Sequence, residues 1–123
     1  MKKLALMALF AGLCTIFGCN AKGFVSVDAE KFARRIAEPG VQLVDVRTAE
    51  EYAEGHIPNA VNIDVSSPDF VEKVSALDKK RTVALYCRSG RRSKRAAEQV
   101  VNLGFEVVEL DGGIISWQGE LQR

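Results

Sequence analysis

The chain predicts an α/β domain built on a mainly parallel sheet, and three observations carry that expectation. From Phe24 onward, short apolar runs alternate with amphipathic stretches, the order that lays helices over the faces of a parallel sheet. The run at residues 82–86 (Thr-Val-Ala-Leu-Tyr) is continuous rather than alternating, as expected of a strand covered on both faces. Glycine, proline and capping residues punctuate the runs, and no repeat or low-complexity segment interrupts them.

Each element follows from its residues. Residues 24–27 make a short strand, and Asp28 caps a helix that carries Phe32, Ala33 and Ile36 on one face until Pro39-Gly40 ends it. Residues 41–46 form a buried strand. Thr48 caps a brief helix through Tyr52, closed by Gly55, and residues 60–63 are extended after the Ile57-Pro58 turn. A helix over 69–77 precedes the strand at 82–86. The next helix covers 93–103, with Ala96, Ala97, Val100 and Leu103 on one face and Gly104 as its stop. Residues 105–110 supply the last strand, and 112–118 a closing helix with Trp117 packed inward.

The N-terminus stands apart from this domain, which spans residues 24–121. Met1-Lys2-Lys3 followed by an apolar run to Phe17 reads as a signal peptide over residues 1–18. The run is shorter than the ~20 residues a permanent membrane helix needs. Ile16-Phe17-Gly18-Cys19 resembles a lipobox, in which the cysteine is acylated and becomes the new N-terminus; the other reading is ordinary cleavage after Ala21. Both readings put the domain on the periplasmic side of a bacterial envelope. A lipidated Cys19 followed by Asn20 resembles lipoproteins anchored in the outer membrane.

Charge is nearly balanced, 17 basic against 16 acidic residues, and two of the lysines belong to the leader. Nothing here calls for nucleic acid as a partner. About a hundred residues suffice for one core without disulfide staples. Of three cysteines, Cys14 leaves with the leader and Cys19 is acylated or lost, so Cys87 stands alone. A lone thiol in an oxidising compartment is either buried and inert or kept for chemistry.

Its surroundings favour chemistry. A strand ending at Tyr86, a loop containing Gly90 and a helix starting near Arg91 or Arg92 place Cys87 where a parallel sheet meets a helix N-terminus, the usual ligand position of such sheets. Loop amides and the helix dipole stabilise a thiolate there. Arg88, Arg91 and Arg92 add positive charge whose mutual repulsion a bound anion relieves, so the expected substrate or intermediate is anionic.

Four motifs in order, Asp45-Val46-Arg47, Glu51-Tyr52-x-x-Gly55-His56-Ile57-Pro58-x-Ala60-x-Asn62-Ile63, Tyr86-Cys87-Arg88-Ser89-Gly90-Arg91-Arg92-Ser93 and Leu110-Asp111-Gly112-Gly113 with Trp117, resemble a rhodanese domain. The nearest likeness is to small exported single-domain sulfurtransferases. The resemblance implies a three-layer α/β fold with a five-stranded, mainly parallel sheet and helices on both faces. It implies that Cys87 takes a sulfane sulfur from thiosulfate or a related small anionic donor, holds it as a persulfide, and passes it to cyanide or a thiol, with no metal or organic cofactor. Arg88, Ser89, Gly90, Arg91 and Arg92 are then the substrate-binding loop, and Asp45 and Arg47 support it. By the same resemblance His56 belongs to a turn rather than serving as a base. Gly112-Gly113 and Trp117 make a tight turn and a core plug. Some thiosulfate-using relatives place cations where this chain has Glu51 and Ser89.

Two rivals share these residues. A cysteine phosphatase uses Cys, five residues, then Arg; six positions beyond Cys87 stands Ser93, with Arg92 one position early. The other is a non-catalytic sulfur-carrier or redox-sensing module.

Overall fold

The computed structural model describes residues 23–123; the signal peptide expected over residues 1–18, with Cys19 and the cleavage expected after Ala21, lies outside the described residues. The apolar runs form β1 (Val25–Val27), β2 (Gln42–Asp45), β3 (Val61–Asn62), β4 (Val83–Tyr86) and β5 (Val107–Leu110). The amphipathic stretches form α1 (Ala29–Ile36), α2 (Ala49–Glu54), α3 (Phe70–Ser75) and α4 (Arg91–Asn102). The five strands pair in the order β1-β5-β4-β2-β3, every pair parallel.

Alternation along the central strand sorts the core into two layers. Val83, Leu85 and Cys87 point to one face, where Val44, Val46 and Val107 meet Phe70 and Val74 of α3 and Ala96, Ala97 and Val100 of α4. Ala84 and Tyr86 point to the other, against Phe32 of α1, Ile57, Val108 and Leu110. Helices thus cover both faces, which is why β4 and β5 are buried along their whole length.

The caps anticipated from sequence have concrete partners. Asp28 accepts a hydrogen bond from Lys31 N at 2.9 Å, and Thr48 and Glu51 form a reciprocal capping box at the start of α2. The helix α4 begins at Arg91, inside the start near Arg91 or Arg92 expected for the loop, because Gly90 adopts φ 104° and turns the chain directly from the strand into the helix. One element differs from expectation. The closing helix is instead a 3-10 turn of three residues, Ile114–Ser116. Gly112 and Gly113 hold φ of 123° and 69°, outside the helical region, and Trp117 is already extended. Trp117 is half-buried, packing on the α1 side of the core while its Nε1 donates to Glu120 O at 3.1 Å.

Candidate active site

Cys87 follows the last residue of β4 and is only 1% exposed, deeper than a surface loop implies. Its side chain continues the β4 alternation into the α4 layer, which brings the sulfur under the start of that helix. The sulfur is not sealed among aliphatic groups alone. Gly90 N–H donates to Cys87 Sγ at 3.1 Å, and the thiol donates to Ser93 Oγ at 3.4 Å. Of the loop amides expected to surround the sulfur, Gly90 is the one in direct contact.

The loop is held by the segment after β5. Ile114 N–H donates to Cys87 O at 2.9 Å and Ile115 N–H to Arg88 O at 3.2 Å. In a trans peptide the carbonyl and the following N–H point in opposite directions. Anchoring these two carbonyls on the 114–115 segment therefore turns the Arg88 and Ser89 N–H groups away from it. Gly113 makes this contact possible: a Cβ there would lie 2.2 Å from Arg88 O and 2.6 Å from Ser89 N. The Gly112-Gly113 pair, read from sequence as a plain turn, is the seat of the loop.

Beyond the loop, residues 28–120 match the family of rhodanese-like domains. The chain belongs to that family. It is 42% identical over 84 residues to the putative sulfurtransferase YtwF of Bacillus subtilis, covering 68% of this chain and 80% of that protein. It is 36% identical over 91 residues to the thiosulfate sulfurtransferase GlpE of Pseudomonas paraeruginosa, covering 73% and 81%. The structure of a rhodanese-like domain protein from Staphylococcus aureus superposes with a TM-score of 0.71 at 30% identity, covering 80% of this chain and 97% of that one.

In this rhodanese-like domain the loop arginines divide into two kinds. Arg88 and Arg91 are exposed and have no ion pair among the described residues. Arg92, expected to be available to a substrate anion, is instead gripped by Glu51 of α2 through Nη1–Oε1 at 2.8 Å and Nη2–Oε2 at 2.9 Å. The hydrogen bonds from Arg92 hold the Glu51 carboxyl at a pKa of about 2, against the opposing effect of burial. The same pairing raises the pKa of Arg92. Part of the positive field read from the sequence is thereby cancelled by a residue 41 positions away.

Asp45 and Arg47 lie together and buried. Arg47 Nε and Nη2 donate to the Asp45 carboxylate at 2.9 and 2.7 Å, and Nη2 also donates to Gly55 O at 2.7 Å. The guanidinium lies 5.7 Å from the centroid of the Tyr86 ring, whose hydroxyl accepts from Ile57 N at 3.0 Å. Burial pushes the Tyr86 phenol pKa up, and the Asp45 charge adds to the effect. Arg47 thus ties the end of β2 at Asp45 to Gly55, the residue that closes α2. His56 sits in that turn, stacked on Tyr52 at 3.7 Å, with Nδ1 3.0 Å from Tyr52 O.

Sequence reasoning missed Ser93 as a neighbour of the sulfur and Glu109 as the partner of Ser93. Glu109 lies within β5, is fully buried, and accepts from Ser26 Oγ, Ser93 Oγ and Lys94 Nζ. The available signal was a carboxylate inside the apolar run Phe-Glu-Val-Val-Glu-Leu, since a strand covered on both faces rarely holds a charge without a partner.

Proposed function

We propose that the domain transfers a sulfane sulfur from thiosulfate or a related anionic donor to cyanide or a thiol through a persulfide on Cys87. The observation that carries this reading is the Gly90 N–H donated to Cys87 Sγ at 3.1 Å, at the junction of β4 and the N-terminus of α4. An amide and a helix N-terminus favour an anionic sulfur. In the first half-reaction the Cys87 thiolate attacks the outer sulfur of thiosulfate; a new S–S bond forms, the old one breaks, and sulfite leaves with its electron pair. In the second, cyanide or a thiolate attacks the terminal sulfur of the persulfide and the Cys87 thiolate is regenerated. Charge balances in both steps, and splitting the transfer predicts ping-pong kinetics. The names of the relatives support sulfur transfer, and the exposed Arg88 and Arg91 are the cations left to meet the donor.

The test is a cyanide-dependent thiocyanate assay with thiosulfate and polysulfide as donors, run beside Cys87→Ser. Mass spectrometry of the thiosulfate-treated protein should show one added sulfur atom on Cys87, discharged by cyanide. A persulfide that forms but is not discharged would make the domain a sulfur carrier. Equal turnover by Cys87→Ser would remove Cys87 from the mechanism.

The basic and apolar leader supports the same reaction on the periplasmic side of the envelope. Labelled-palmitate incorporation that disappears in Cys19→Ala would establish the lipid anchor, and its absence in the wild type would favour cleavage after Ala21.

A further inference from the structure

We propose that Ser93 and Glu109 form a proton relay that takes the thiol proton of Cys87, an inference that rests on the reading of Cys87 as a thiolate nucleophile. Cys87 is 1% exposed. The two hydrogen-bond partners of its sulfur have opposite character: Gly90 N–H can only donate, whereas the Ser93 hydroxyl accepts from the thiol at 3.4 Å. Ser93 is itself fully buried, and its own proton is directed at Glu109 Oε2. The direction of the chain is therefore set by donor and acceptor types, from sulfur to hydroxyl to carboxylate.

The transfer balances without a co-reactant. The Cys87 S–H bond breaks and its electron pair stays on sulfur. The proton forms a new O–H bond on Ser93 as the original hydroxyl proton passes to Glu109 Oε2. Nothing is oxidised or reduced. Ser93 then donates to the thiolate and accepts from the Glu109 acid, so the anionic sulfur receives two hydrogen bonds, from Gly90 and Ser93.

Beyond Glu109 stands an ammonium, which donates to the carboxylate and has no lone pair to carry the proton further. Lys94 Nζ lies 3.3 Å from Glu109 Oε1 and 2.9 Å from Asp111 Oδ1, and the Lys94 and Asp111 side chains are 37% and 65% exposed. Ser26 Oγ of β1 donates to the other side of the carboxylate. On the sulfur side the charged neighbour is Arg92, which is paired with Glu51 and within electrostatic range of Asp64. Ser93 touches the reacting atom, whereas Glu109 acts through it.

The test follows Cys87 alkylation by iodoacetamide across pH, a readout independent of sulfur transfer. Without a relay, a thiol that must release its proton to solvent loses reactivity roughly tenfold per pH unit on the acid side. The wild type is expected to fall less steeply, because internal transfer supplies thiolate without a net proton loss. Glu109→Gln, which keeps the size of the side chain but cannot take a proton, should regain the full slope and react on the order of tenfold more slowly at the acid end. Ser93→Ala should behave like it, and Ser93→Thr, which keeps the hydroxyl, should restore the wild-type profile. If Glu109→Gln fails to fold, as judged by thermal melting, the two Ser93 variants decide. Rates in the folded variants that parallel the wild type at every pH, including no reaction in any of them, would overturn the relay. So would a uniform lowering with unchanged pH dependence. If thiocyanate assays fail while the alkylation profiles behave as expected, the sulfurtransferase reading falls and the relay stands.

Discussion

Glu51 and Arg92 are joined by two parallel hydrogen bonds of 2.8 and 2.9 Å, so that the cation next to Ser93 in the Cys87 loop is held by a carboxylate from α2. Under the proposed function, this pairing limits attraction for a dianionic donor. Glu51→Gln removes the compensating charge and leaves Arg92 in place. Its KM for thiosulfate is expected to fall about threefold to tenfold, with the gain disappearing at high salt. Initial-rate kinetics at two ionic strengths check this; an unchanged KM would show that Arg92 does not influence donor binding.

The same pair sets an acid dependence of stability. Glu51 titrates at about 2 in the folded domain, below the roughly 4.3 of an unfolded glutamate. Because the folded value is depressed, the stabilisation is fully present above about pH 4.3 and is lost as the pH falls through about 2. Urea denaturation of the wild type and Glu51→Gln should give a difference in midpoint that is constant at neutral pH and narrows below pH ~4. A difference that persists undiminished at pH ~2 would contradict it.

Gly113 should tolerate no side chain. Its φ is 69° and a Cβ would stand 2.2 Å from Arg88 O, so Gly113→Ala must push the loop away from the 114–115 amides. The expected loss is on the order of 3 kcal/mol in stability and about a hundredfold in turnover. Gly40→Ala is the control: its φ is 87° with nothing within 4 Å of the added carbon, so it should cost about 1–2 kcal/mol and leave turnover unchanged. Thermal melting and the thiocyanate assay on both variants check the pair.

Legibility in the sequence followed the range of the interaction. The two helix caps, Asp28 with Lys31 and Thr48 with Glu51, join residues three apart, and the continuous run ending at Tyr86 is a property of neighbouring residues alone. The position of Cys87 between that run and a glycine-led helix was readable for the same reason. The closing segment reads as a helix in the sequence, whereas the positive φ of Gly112 and Gly113 serves a contact with a loop more than twenty residues earlier.

The α/β class, the parallel order of runs and helices, and a cysteine in a basic loop at a strand-to-helix junction are all set by residues close together in the chain. Three contacts depend on the folded chain: Glu51 pairs with Arg92, Gly113 seats the Arg88 peptide, and Ser93 meets the Cys87 sulfur with Glu109 behind it. Propensity, periodicity and capping act over one or two helical turns, whereas these contacts arise where strand register and helix crossover bring distant residues within hydrogen-bond reach.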